Sequence, residues 1–117
     1  MGIKLGKAIC DGPYRAEEWP APAAGGVYAI MVRDPRWEPL PYRVIYVGQA
    51  ESFGERFLRL HQRYWDWCAV AGNPSRLYVA SYAASTREFR DWLEDRLLAQ
   101  YRPECNALVE PARSLAA

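Results

Sequence analysis

Two segments decide the fold of this chain: GVYAIMV at residues 26–32 and VIYVG at residues 44–48. Both are apolar and rich in the β-branched and aromatic side chains that favour strands. The segment between them, RDPRWEPLPYR at 33–43, carries three prolines, which is typical of a loop. We therefore expect two antiparallel strands joined by a long loop.

The residues after this pair predict a helix and a third strand. In SFGERFLRLHQRYWDW, residues 52–67, the apolar residues Phe57, Leu60 and Tyr64 recur at helical spacing. RLYVASYA, residues 76–83, is rich in aromatic and aliphatic side chains and favours a strand.

A second helix follows. Ser85 or Thr86 is placed to cap its first turn, and the apolar pattern continues to about Tyr101, just before Pro103. The sequence thus predicts an α/β (α+β) fold with the order β-β-α-β-α, in which helices flank a three-stranded antiparallel sheet.

The glycines and prolines near the N-terminus predict an extended lead-in over residues 1–24. The domain itself is then expected over residues 25–106. Residues 107–117 are small and polar, which is typical of a frayed tail.

Composition excludes several classes of protein. The chain has 117 residues, half of them hydrophobic and a quarter charged, which fits one folded domain rather than a disordered chain. Its longest apolar run, residues 27–32, is too short to cross a bilayer, so no membrane partner is expected. The formal net charge is +1, yet 13 of the 15 basic residues are arginine. That bias fits phosphate recognition or simply the base composition of the gene.

The three cysteines, Cys10, Cys68 and Cys105, show no spacing typical of zinc sites or disulfide frameworks. We expect them to be buried thiols. The N-terminal residues lack the apolar core of a secretory signal, so the cytoplasm is the expected compartment. Signal-independent secretion would leave the same sequence.

One carboxylate stands on the apolar side of the last predicted helix. At about 100° per residue from Phe89, Glu94 falls at roughly 140°, between Tyr101 and Leu98. A carboxylate there needs a partner, a shifted pKa or a metal ion. An ion pair with Arg90, one turn earlier, is the structural alternative.

These positions together resemble the GIY-YIG nuclease family. The resemblance covers residues 25–106 in order, and its elements are Gly26-Val27-Tyr28, Tyr46-Val47-Gly48, Arg56, Glu94, and Pro103 with Asn106. Family members cleave DNA phosphodiester bonds with a metal ion. The resemblance implies a small α/β domain in which Tyr28, Tyr46, Arg56 and Glu94 converge on one shallow site.

The resemblance also implies a role for each residue. Glu94 would be the only protein carboxylate on Mg²⁺ or Mn²⁺, which suits an ion that keeps most of its waters. Arg56 would hold the scissile phosphate. Tyr28 and Tyr46 would orient or deprotonate the attacking water, with Tyr46 the favoured base.

Four further residues complete the expected site. Gly48 would allow close approach to substrate, and Asn106 would hold the strand edge or a tyrosine in position. Gln49 takes a place where the family often has Lys or Ser. His61 comes one residue after the position where the family often has His or Tyr, so it either reaches the site or lies on the surface.

Two groups of arginines are candidates for substrate contacts. On a continuous helix, Arg56, Arg59 and Arg63 would form one basic stripe for phosphate, or ordinary solvated arginines paired with nearby acids. The 33–43 loop would be a substrate-contacting arm or decoration; its candidate residues are Arg33, Arg36, Trp37 and Arg43.

The expected partner is DNA, with RNA an open alternative, and a homodimer or an inhibitory protein partner is also open. Two other functions remain. The chain is either a catalytically silent module, binding nucleic acid or protein on the same fold, or a toxin or effector nuclease held by an immunity-type partner.

Overall fold

The computed structural model describes residues 2–37, 41–54 and 58–107. Within them, five antiparallel strands form one sheet in the order β1-β2-β5-β3-β4. The strands are β1 (Gly2–Leu5), β2 (Ala8–Arg15), β3 (Gly26–Arg33), β4 (Tyr42–Ala50) and β5 (Leu77–Ala83). The expected α+β class and the antiparallel β3–β4 pair are confirmed.

The expected count of three strands is wrong, because the lead-in contributes two more. β1 and β2 form a hairpin, and β2 pairs with β5. Ile3, Leu5 and Cys10 are buried and alternate with exposed residues, which is the period of a half-buried strand. The many glycines and prolines that follow obscured this short alternation in the sequence.

Three α-helices are present among the described residues: α1 (Tyr64–Ala71), α2 (Arg87–Tyr101) and α3 (Glu104–Ala107). The second matches its prediction: Thr86 Oγ1 accepts the N–H of Phe89 at 3.3 Å, and Arg102 ends the helix in a left-handed conformation. Among the described residues, no helix is long and apolar enough to cross a membrane.

The first predicted helix begins much later than expected. The N–H groups of His61 and Tyr64 bond three residues back, to the carbonyls of Leu58 and His61, so the chain makes turns before α1 starts. His61 Nδ1 also accepts the N–H of Arg63 at 2.9 Å. A side chain that accepts a nearby main-chain N–H offers the backbone an alternative to the helix at this point.

The sheet separates two apolar layers. On one face, Tyr28, Ile30 and Val32 of β3 pack with Trp67 of α1. On the other face, Val27, Ala29 and Met31 pack with Leu93 and Leu97 of α2. The helices α2 and α3 also contact β4, the strand at the edge of the sheet.

A β-bulge in β4 lies between Val44 and Tyr46 and adds Ile45 to the face of the sheet that carries Tyr28. Ile30 pairs with Tyr46 and Met31 pairs with Val44, so Ile45 is the extra residue. Two neighbouring residues at a bulge can face the same side of a sheet. Ile45 and Tyr46 accordingly belong to the same apolar layer as Tyr28.

Candidate active site

Tyr28 and Gly48 are cross-strand partners on β3 and β4. A Cβ on Gly48 would lie 2.7 Å from the hydroxyl oxygen of Tyr28 and 3.0 Å from Cε2 of Tyr46. The first contact is shorter than a real Cβ shows, and the second would require Tyr46 to shift by a few tenths of an ångström, so glycine at this position leaves space for the two phenols.

The two tyrosines interact directly. Their ring centroids are 6.1 Å apart, and their side chains share a hydrogen bond. Burial raises the pKa of Tyr28 far above its usual range, and smaller contributions come from the charge and hydrogen bond of Tyr46 and from the charge of Glu94. Tyr28, only 2% exposed, therefore keeps its proton, whereas Tyr46 is partly exposed.

His61 lies beside both phenols. Its ring centroid is 5.2 Å from that of Tyr46, 6.2 Å from that of Tyr28 and 4.6 Å from that of Trp67. Burial and the nearby charge of Arg63 lower the pKa of His61. Because Nδ1 accepts the Arg63 N–H, we assign the proton of the neutral ring to Nε2.

Glu94 reaches the same strand edge from α2. The side-chain amide of Gln49 donates to Glu94 Oε1 at 3.2 Å and to Asp91 Oδ1 at 2.7 Å. The charge of Glu94 also contributes to the raised pKa of Tyr28. Gln49 thus links the carboxylate of Glu94 to β4, the strand that carries Tyr46.

Gln49 is bonded on both sides of its amide. Its Oε1 accepts from Arg90 Nε at 3.3 Å, and the guanidinium of Arg90 also donates to the carbonyls of Ala84 and Ser85. Arg90 is 7% exposed, so these bonds satisfy a buried cation. Sequence reasoning missed Asp91 and Arg90 as partners of Gln49, because they are distant along the chain and Asp91 falls on the solvent side of the helical wheel.

Asn106 holds the edge of β4. Its Oδ1 accepts the N–H of Val47 and its Nδ2 donates to the carbonyl of Val47, both at 2.8 Å. The amide thus pairs the main chain of an edge strand as a neighbouring strand would. Val47 directly follows Tyr46, so this contact also positions that phenol.

The remaining expected residues are the three arginines of the predicted stripe. Arg56 lies outside the described residues. Arg59 is exposed, and Arg63 pairs with Asp66 at 3.2 Å. Both precede α1, so the expected single helical stripe is wrong.

A metal ion would find few protein ligands here. Among the described residues, no group of three or more His, Cys, Asp and Glu side chains is arranged to hold a metal. The carboxylates of Glu94 and Asp91, which accept from the same Gln49 amide, fit an ion that takes one or two carboxylates and otherwise water and substrate oxygens.

The cluster therefore joins two phenols, an imidazole and a carboxylate, a set that can orient water, move a proton and hold a cation. We call Tyr28, Tyr46, His61 and Glu94 the edge cluster. No protein-family model, curated protein or solved structure matches this chain.

Proposed function

We propose that this chain is a GIY-YIG-like endonuclease that hydrolyses DNA phosphodiester bonds with a single divalent ion, Mg²⁺ or Mn²⁺. The main support is the meeting of Tyr28 and Tyr46 over Gly48, with the Glu94 charge acting on Tyr28. These interactions link Tyr28 and Tyr46, from the two strand segments of the resemblance, to Glu94, the carboxylate that the resemblance implies.

The burial of the two phenols supports different roles. Tyr28 is enclosed and its raised pKa keeps the phenol protonated, so it would position Tyr46 through their shared hydrogen bond. Tyr46, the partly exposed phenol, would face the attacking water. Neutral His61 would donate from Nε2 to a phosphate oxygen or to that water.

Glu94 is the proposed metal ligand. When bound, the ion would polarise a phosphate oxygen and favour deprotonation of water. Gln49 would hold the carboxylate of Glu94 towards the β4 edge through its amide. Arg56 keeps the phosphate-clamping role that the resemblance implies, and Arg59 and Arg63 would contact flanking phosphates.

Nicking of supercoiled plasmid in Mg²⁺ or Mn²⁺ tests this proposal. Glu94→Gln should lower the cutting rate by at least about a hundredfold, as expected when a group that stabilises the transition state is lost. Asp95→Asn, the next residue on the same helix and exposed, is the matched control and should cut normally. Equal cutting by both variants would refute the proposal.

A silent nucleic-acid-binding module is the second candidate. It is favoured by Gln49, whose amide already engages Glu94 Oε1, and by Leu60, which is 78% exposed where the family often has His or Tyr. This reading predicts DNA binding that Glu94→Gln leaves intact, with no cutting by the parent protein in either metal.

A further inference from the structure

An arginine-lined groove lies at the other end of the β3–β4 pair from the edge cluster. Arg33, Arg36, Arg43 and Arg76 line it, and Asp34 is the one carboxylate among its described lining residues. We call these four residues the arginine groove. Its volume is about 610 Å³, enough for a ligand of nucleotide size.

The charges of the groove do not cancel internally. Asp34 is shared between Arg36 at 3.2 Å and Arg43 at 3.7 Å. Arg33 and Arg76 are both exposed, and neither has a carboxylate within salt-bridge distance in the described part of the chain. A chain of formal charge +1 thus places several cations around one concave surface.

Arg43, on β4, connects the groove to α3 through two ion pairs. Arg43 pairs with Asp34 in the groove and with Glu104 of α3. The charges of Asp66, Arg43 and Arg63 all act on the buried thiol of Cys105 in α3. Arg63 in turn donates its N–H to His61 of the edge cluster.

The distance suits a strand of nucleic acid. Arg33 comes five positions after Tyr28 on β3, which is about 16 Å at the rise of a β-strand. Measured along the axis of a duplex, this length corresponds to about five phosphates of one strand. Guanidinium groups bind phosphate oxygens through paired hydrogen bonds, and the groove uses arginine throughout.

We propose that the arginine groove binds the phosphodiester backbone of the nucleic acid several nucleotides away from the edge cluster. The assignment of the ligand rests on the proposed function. Arg33 and Arg76 make the contacts, since Arg36 and Arg43 are already oriented by Asp34. The groove then sets where the strand lies without reading its sequence.

Binding of a fluorescein-labelled DNA duplex, followed by anisotropy over a range of salt concentrations, tests the groove. All proteins carry Glu94→Gln so that binding is measured without cutting. The groove variant adds Arg33→Gln and Arg76→Gln. The control adds Lys4→Gln and Arg96→Gln, two exposed cations outside the groove, and so has the same net charge.

The groove variant should bind at least about tenfold more weakly at 0.1 M salt and reduce the slope of log K against log salt by about 2. The control should change neither beyond about twofold. Equal effects of both variants, or binding of a poly-glutamate peptide in place of DNA, would overturn the proposal. DNA binding that needs the groove in a parent protein that never cuts would support the groove and refute the nuclease.

Discussion

The hydroxyl oxygen of Tyr28 lies 2.7 Å from the point where a Cβ on Gly48 would stand. The phenol of Tyr28 on β3 thus covers the main chain of Gly48 on β4. Because Gly48 has no side chain, the Tyr28 hydroxyl also reaches Tyr46. An aromatic side chain over a cross-strand glycine also stabilises a sheet. The contact therefore joins the packing of β3 on β4 to the chemistry proposed for the edge cluster.

We expect Gly48→Ala to destabilise the fold by about 1–3 kcal/mol, because the methyl group would push Tyr28 off its site. Urea unfolding followed by tryptophan fluorescence measures this. Gly54→Ala is the control, since nothing lies within 4 Å of a Cβ there, and its effect should stay within about 0.5 kcal/mol. Similar losses in the two variants would contradict the close approach at Gly48.

The parts of the fold that local patterns specify were predictable. The strands β3 and β4 follow from apolar β-branched runs, and α2 follows from its period and from the capping residue Thr86. The hairpin of β1 and β2 was missed, because β1 has only four residues and β2 contains Gly12 and Pro13, which are typical of a turn.

The candidate site depends on features that no local pattern carries. Tyr46 and Tyr28 share a face because Tyr28 pairs with Gly48 and Ile30 pairs with Tyr46, and this register is known only once the two strands are paired. His61 reaches the phenols from a turn that precedes α1, where its Nδ1 accepts the N–H of Arg63. The bonds of Gln49 to Asp91 and Glu94 join residues more than 40 positions apart.

His61 should titrate below the usual value for histidine. Burial and the charge of Arg63 lower its pKa, so its neutral form is favoured in the fold. His61 is the only histidine, so one imidazole resonance in the proton NMR spectrum reports it without assignment. We expect a midpoint below about 6.5.

Arg63→Gln should raise that midpoint, because it removes the charge and leaves the main-chain donor to Nδ1 in place. Because the pKa of His61 is lower in the folded protein than in the unfolded chain, its contribution to the free energy of unfolding is complete above about pH 6.5. This contribution is lost as the pH falls through the pKa of His61 in the folded protein. A midpoint at or above the usual value in the parent protein would contradict the burial of this ring.

Tyr28 should make the fold sensitive to alkali. Its folded pKa is raised, so the unfolded chain releases this proton first as the pH passes about 10, and stability falls from there. Burial also raises the pKa of Cys10 and Cys105 to about 11. The loss of folding stability that these thiols cause therefore begins at a lower pH than the loss caused by Tyr28.

Tyr28→Phe distinguishes the contribution of Tyr28 to this pH dependence from that of the thiols. Above about pH 10 the parent should lose up to about 1.4 kcal/mol more per pH unit than the variant, since both proteins keep the cysteines. Urea unfolding at a series of alkaline pH values gives both slopes. Parallel slopes would show that the phenol of Tyr28 is not enclosed.

Asn106 should control the outer edge of β4. Asn106→Ala removes both bonds to Val47 and leaves the N–H and the carbonyl of Val47 unpaired. This should lower the free energy of unfolding by about 2 kcal/mol. The exchange rate of the Val47 amide proton measures the contact directly and should rise by more than the loss of global stability explains. Asn73→Ala is the control, because Asn73 caps an exposed turn with a single bond to Ser75 and should leave the Val47 amide protected. Since Val47 adjoins Tyr46, the Asn106 variant should also cut plasmid more slowly than the Asn73 variant. If the Val47 amide stays protected in the Asn106 variant, Asn106 does not hold the edge of β4.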